Sequence, residues 1–153
     1  MQRPRLSGDR VDSRWWYWIA AIPAVFGFWL VTVAWVALAI WLEPGLLNTS
    51  GGDGPLAQAA RISLVAVGVP IVVLVAIFPL AVFQDTHAID TAAVEWAPPG
   101  STYALLALGG WLVGGGVGLL LVDLSMGIIA GFAASVPFAL YYLQQRHERL
   151  GVP

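Results

Sequence analysis

The sequence predicts an all-α membrane protein with four transmembrane helices in two hairpins and both termini on one side. The chain has 153 residues, of which 59% are hydrophobic and only 10% are charged. Soluble domains carry about 25% charged residues, so a bilayer is the solvent that matches this composition. Long apolar runs separated by polar stretches supply the predicted helices, which cover residues 15–42, 56–83, 101–122 and 124–143. Together these runs make a transmembrane domain over residues 15–143.

The first predicted helix follows a polar segment, residues 1–14, for which we expect a mobile cytoplasmic tail. The apolar run that comes next is about 28 residues long, whereas the core of a cleaved signal peptide has about 7–15. We therefore expect an uncleaved helix. Aromatic residues from Trp15 to Trp18 stand at its start and Trp41 stands at its end, where such rings favour the membrane–water boundary.

The second predicted helix contains Pro70 and Pro79. One interpretation is a hinge or an unwound site that exposes backbone carbonyls to an ion. The other is a kink whose freed backbone groups are satisfied by neighbouring helices, which membrane helices tolerate. Because no charged residue stands near either proline, the sequence favours the kink.

The loop before this helix contains Asn48-Thr49-Ser50, which matches the acceptor triplet for N-glycosylation. Such triplets are common by chance, and this one stands close to the membrane. The sequence does not decide whether Asn48 is modified.

The third and fourth predicted helices are separated only by Asp123, which indicates a tight turn because a single helix of that length would overshoot a bilayer. Glycines recur every four residues in both helices, so they share a face and predict close helix packing. A phosphate-binding loop is not favoured, because it needs a preceding strand and a lysine. The predicted packing residues are Gly110, Gly114 and Gly118 in the third helix and Gly127 and Gly131 in the fourth.

The longest polar interruption, residues 84–100, is predicted to lie on the same side of the membrane as the C-terminal tail, residues 144–153. We expect at least one acid–arginine pair to join them, exposed to solvent and contributing about 0–1 kcal/mol. The alternative is that both segments are solvated and the arginines meet anionic lipid head groups. The residues concerned are Asp85, Asp90 and Glu95 in the central segment and Arg146 and Arg149 in the tail.

His87 adds a possible metal ligand to the central segment. His87 and Asp90 are three residues apart and would share a helix face, and His with carboxylates suits Zn²⁺ or Mn²⁺. A solvated acidic turn explains the same residues more simply, so no metal site is predicted.

The arginines predict the orientation. Six of the seven basic residues stand in the termini, and only Arg61 stands on the other side of the predicted topology. The positive-inside rule then places both termini in the cytoplasm of a cell-membrane protein.

Two stretches resemble a group of uncharacterised small multi-pass membrane proteins from halophilic archaea. The first is Glu95-Trp96-Ala97-Pro98-Pro99, preceded by Asp85 and Asp90 and followed by Tyr103. The second is Tyr141-Tyr142-Leu143, followed by Arg146-His147 and the ending Gly151-Val152-Pro153. No activity is known for the group, so the resemblance implies lineage and topology and no function.

Several classes of function are disfavoured. The net charge of −2 gives no electrostatic reason for a nucleic-acid partner, and the absence of cysteine excludes thiolate metal sites and a cysteine nucleophile. Ion-coupled transport usually needs an ionisable residue deep in the membrane, and the predicted helix cores hold none. Ser63, Ser125 and Ser135 have no membrane histidine that could act as their base.

We therefore expect no enzyme and no cofactor. The predicted function is an interaction or accessory subunit in the lipid bilayer, which acts as a homo-oligomer or with another membrane protein. The alternative is a small transporter or channel subunit in which the prolines of the second helix form a flexible gate.

Overall fold

The computed structural model describes residues 11, 13–44, 54–92, 94 and 96–150. These residues form four α-helices, and each helix is long and apolar enough to cross a membrane. The predicted all-α, four-helix membrane fold is confirmed. The helices are α1 (Trp16–Leu42), α2 (Pro55–Thr91), α3 (Gly100–Leu121) and α4 (Leu124–Leu150).

The four helices form a ring in chain order. Each helix contacts the next, α4 closes the ring against α1, and α2 also contacts α4 across the middle. We call the end that carries Ser13, Thr91, Gly100 and Leu150 the polar end, and the opposite end, with Leu42 and Leu124, the turn end.

Two helices are longer than the sequence predicted. α2 continues past residue 83 to Thr91, and α4 continues past residue 143 to Leu150. The hydroxyl of Thr91 donates to the carbonyl of His87 at 3.1 Å, one turn back, as expected for a helical threonine. Much of the segment that was predicted as a C-terminal tail is therefore helical. The central connection shortens correspondingly.

Pro70 and Pro79 lie inside α2, which runs through both as one helix. No unwound site is present at either proline. Pro55 occupies the first turn of α2, where the missing N–H costs no helical hydrogen bond.

The core differs between the two ends of the bundle. Near the polar end all four helices bury side chains together, including Ile19 of α1, Phe78 of α2, Ala107 of α3 and Phe132 of α4. A second, smaller buried cluster lies near the turn end and belongs to α1 and α2 alone: Val36, Ala39, Ala57 and Ala60. The two hairpins are thus joined mainly through the polar half of the bundle.

Glycine lets the backbones of α3 and α4 approach closely. A Cβ added at Gly114 would lie 2.7 Å from the Cβ of Ala134, and one added at Gly118 would lie 2.6 Å from the carbonyl oxygen of Met126. No real Cβ tolerates such distances without a shift of its neighbours, so these glycines are required by the packing. Gly110 is less crowded, because its nearest neighbour would be the carbonyl oxygen of Ala134 at 3.7 Å.

Glycines of α4 pack in the same way against α3. A Cβ at Gly127 would lie 3.0 Å from the carbonyl oxygen of Gly115, and one at Gly131 would lie 2.7 Å from Cδ1 of Trp111. Gly115 also lies at this contact, since a Cβ there would lie 3.2 Å from the carbonyl oxygen of Gly127. Within α3, Gly109 and Gly116 face open space, because a Cβ added at either would meet nothing within 4 Å.

Asp123 makes the turn between α3 and α4 and caps α4. Its carboxylate accepts a hydrogen bond from the backbone N–H of Met126 at 2.8 Å, and its carbonyl accepts one from Gly127 at 2.9 Å. A side-chain oxygen that satisfies an N–H group of the first turn is the usual stabilising device at a helix start.

Candidate functional site: a buried carboxylate cluster at the polar end

Asp85 is a fully buried acid near the end of α2, with 0% of its surface exposed. It lies on the same stripe of α2 as the buried residues Phe78, Val82 and Ile89. Positions separated by three or four residues share one helix face. The apolar stripe that faces the core therefore carries the aspartate inward as the helix continues past its predicted end.

Two side chains of α4 bind one oxygen of this carboxylate. The hydroxyl of Tyr142 donates to Oδ2 of Asp85 at 2.7 Å, and Nε of Arg146 donates to the same oxygen at 3.1 Å. Tyr142 and Arg146 follow Ala139 on the buried stripe of α4. The core-facing stripes of α2 and α4 thus carry side chains of opposite charge near the polar end.

The segment before α1 binds the other oxygen. The hydroxyl of Ser13 donates to Oδ1 of Asp85 at 2.5 Å, and the backbone N–H of Trp15 donates to Oγ of Ser13 at 3.3 Å. Ser13 was predicted to lie in a mobile tail, and the structure instead ties it to the bundle. The guanidinium carbon of Arg146 also lies 5.6 Å from the ring centroid of Trp16, within the range of a cation–π contact.

Aromatic rings from the rest of the polar end pack around Tyr142. The ring centroid of Trp96, in the connection before α3, lies 6.2 Å away, and that of Tyr103 in α3 lies 5.8 Å away in an edge-to-face arrangement. Tilted and edge-to-face pairs at such distances are favourable. All four helices, the segment before α1 and the central connection therefore meet at what we call the Asp85 cluster: Ser13, Trp16, Asp85, Tyr142 and Arg146.

The cluster is chemically self-contained. The Asp85–Arg146 pair has 0% and 4% of its side-chain surface exposed, and a buried charge is tolerated only when it is paired and hydrogen-bonded. Both carboxylate oxygens of Asp85 already accept hydrogen bonds from the chain itself. This arrangement joins the segment before α1, α2 and α4 through one carboxylate.

The start of α3 places the cluster relative to the bilayer. A Cβ at Gly100, the first residue of α3, would lie 2.7 Å from Oγ1 of Thr86, so α3 begins level with the residue that follows Asp85. The 22 residues of α3 span about 33 Å, close to the thickness of the hydrocarbon core. A bilayer that α3 spans along its full length therefore has one boundary near the Asp85 cluster, and the last turns of α2 and α4 project beyond it.

The remaining residues of the predicted ion pairs lie outside the cluster. Asp90 and Arg149 are exposed, and neither forms an ion pair within the part of the chain that the structure describes. Glu95 lies outside the described residues. His87 is exposed beside Asp90, and no group of three or more potential metal ligands comes together in the described ranges.

Ser13, Trp16 and Tyr142 were not predicted to belong to one site. The spacing of Tyr142 and Arg146, four residues apart behind an apolar stripe, is a signal that could have placed both on the inner face of α4. Ser13 precedes its helix and carries no such periodic signal.

The fold and the cluster define a small four-helix membrane protein with a buried ion pair at one end. Comparisons with protein-family models, with curated proteins and with solved structures give no match. What this chain does is therefore inferred from its own residues.

Proposed function

We propose that the protein is a non-enzymatic membrane protein that acts through contact, as an accessory subunit of another membrane protein or as a homo-oligomer. The observation that carries this proposal is the use of the buried carboxylate. Both oxygens of Asp85 accept hydrogen bonds, from Ser13, Tyr142 and Arg146, so this buried acid joins α2 to α4 and to the segment before α1. These hydrogen bonds support a structural role for Asp85.

The outer surface of α1 supports a role in contact. α1 exposes aromatic side chains, among them Phe28 at 69% and Trp35 at 37%. These two residues are seven apart and so lie on one helix face. Large exposed side chains of α3 are leucine and valine, as at Val113 and Leu120. Because aromatic anchors dominate many protein interfaces, α1 is the better candidate for a partner-facing helix.

Co-purification tests this proposal. The tagged full chain, extracted from its own membranes in mild detergent, is expected to retain a stoichiometric partner or a second copy. The variant Phe28→Ala/Trp35→Ala is expected to lose it, whereas Val113→Ala/Leu120→Ala, which truncates an equally spaced face of α3, is expected to keep it.

Other results of the same experiment are informative. A symmetric homo-oligomer with a water-filled central path would favour the small transporter or channel subunit instead. A monomer that retains only lipid, in wild type and in both variants, would contradict a role in contact.

We also propose that the polar end faces the cytoplasm. Of the arginines in the described ranges, Arg14, Arg146 and Arg149 belong to the polar end and Arg61 stands near the start of α2, at the turn end. Basic residues are retained on the cytoplasmic side during insertion, which supports this orientation.

Cysteine labelling on intact cells checks the orientation. The chain has no cysteine, so single cysteines can be introduced at Thr91, exposed at the end of α2, and at Val122, exposed beside the α3–α4 turn. An impermeant thiol reagent is expected to label Val122→Cys and to spare Thr91→Cys until the cells are opened. Labelling of Thr91→Cys alone on intact cells would contradict the proposed orientation and place the polar end outside the cell.

A further inference from the structure

A groove of about 520 Å³ lies beside the Asp85 cluster, between the segment before α1 and the last turns of α2. We call it the interfacial groove. One wall is formed by Ser13–Trp15, and the other is formed mainly by Gln84, His87 and Thr91. Its volume falls within the range of ordinary ligand sites, which is about 300–1,000 Å³.

The polar side chains of this groove suit an anion. Arg14 and His87 are exposed there, Gln84 adds an amide, and no described lining residue is acidic. The guanidinium of arginine matches phosphate oxygens in geometry and charge. A second cleft on the other side of His87 is lined by Asp90, whose carboxylate disfavours an anion, so the two clefts differ in the ligand they suit.

The groove lies at the depth of lipid head groups. Ser13, which forms part of its wall, is hydrogen-bonded to Asp85, and the Asp85 cluster lies near the membrane–water boundary. Trp15 lines the groove, and Trp18, three residues further along the chain, is 44% exposed. Tryptophan rings favour this same boundary. One wall is also fixed in place, because Ser13 bonds both to Asp85 and to the backbone of Trp15.

We propose that the interfacial groove binds the phosphate of an anionic lipid head group. Arg14 supplies the charge, and the amide of Gln84 and a ring N–H of His87 donate hydrogen bonds, while the ring of Trp15 lies against the upper part of the acyl chains. The proposal goes beyond the role in protein contact and does not depend on it, since it concerns a different surface.

Lipid titration of the purified full chain in mild detergent tests the site. Phosphatidylglycerol is added to one series, phosphatidylcholine to a second and inorganic phosphate to a third, and bound lipid is counted by native mass spectrometry alongside the melting temperature. We expect phosphatidylglycerol to bind and to raise the melting temperature, and the other two to do neither to a comparable extent.

Arginine variants locate the site. Arg14→Gln is expected to weaken phosphatidylglycerol binding about fivefold, the effect of one basic residue near an anionic surface. Arg149→Gln removes an exposed arginine from the same end of the protein but outside the groove, and it is expected to bind as wild type.

Three outcomes would overturn the proposal. Equal losses of phosphatidylglycerol binding in the Arg14→Gln and Arg149→Gln variants would mean that the lipid responds to the overall charge of the polar end and not to the groove. A shift reproduced by inorganic phosphate would identify a soluble anion as the ligand. Equal binding of phosphatidylcholine would show that the head-group charge is not recognised.

Discussion

Replacing Asp85 with asparagine is expected to lower the free energy of unfolding by about 3–5 kcal/mol, because it leaves the Arg146 charge buried without its partner. Asparagine keeps the size of the side chain but offers one acceptor oxygen where the carboxylate offers two, so the loss reports on the charge together with the hydrogen bonds to one oxygen. Thermal unfolding in mild detergent, followed by tryptophan fluorescence, measures the change.

A matched variant and a double variant make the test specific. Asp90→Asn neutralises an exposed acid on the same helix and is expected to change stability little. Asp85→Asn combined with Arg146→Gln is expected to lose less than the sum of the two single variants, with a coupling of about 0.5–3 kcal/mol. Raising the salt concentration should leave this coupling largely intact, since a buried pair is screened much less than an exposed one. If the effects of Asp85→Asn and Arg146→Gln on the free energy of unfolding simply added, the ion pair would not stabilise the contact between α2 and α4.

Replacing Gly118 with alanine is expected to destabilise the α3–α4 hairpin by about 1–3 kcal/mol, the usual cost of overpacking. The added Cβ would lie 2.6 Å from the carbonyl oxygen of Met126 and 2.9 Å from its carbonyl carbon, so the backbone of α4 must move. Gly114→Leu is expected to act in the same direction, through its contacts with Ala130 and Ala134.

Gly116→Ala is the control, with an expected effect of opposite sign. A Cβ there meets nothing within 4 Å, and exchange of an unstrained glycine for alanine commonly stabilises by about 0.4–1 kcal/mol. Melting temperatures in one detergent compare the two alanine variants directly. If both variants shifted the melting temperature in the same direction, the assignment of the glycine face would be wrong.

The four helices could be predicted because each is encoded by an apolar run long enough to cross a bilayer. The ends of α2 and α4 could not be read in the same way. The sequence becomes polar at Gln84 in α2 and at Gln144 in α4, so a prediction from hydropathy ends each helix just before these residues. Both helices continue because their inner faces still find contacts, through Ile89 in α2 and Arg146 in α4.

The sequence predicted which segments supply the ion pair of the candidate site, but it did not predict that the pair is buried. An acid of the central segment and an arginine of the C-terminal segment were placed together by topology alone, and the structure brings Asp85 to 3.1 Å from Arg146. Sequence reasoning expected that pair at the surface. Burial depends on Tyr142, Trp16 and Ser13, which come from distant parts of the chain and share no local pattern that announces a common site.

The distance along the chain between members of the Asp85 cluster bears on the order in which the protein assembles. Tyr142 is 57 residues from Asp85, Arg146 is 61 and Ser13 is 72, so the cluster closes only after α4 has been synthesised. Each hairpin has contacts of its own, through Ala39 and Ala57 or through Gly118 and Gly127, and can insert before that moment. Because both residues lie toward the polar end of their helices, neither Asp85 nor Arg146 has to cross the hydrocarbon as an unpaired charge when its hairpin inserts. Closure of the cluster thus requires α4, and a truncated product that lacks the end of α4 leaves Asp85 without the charge of Arg146.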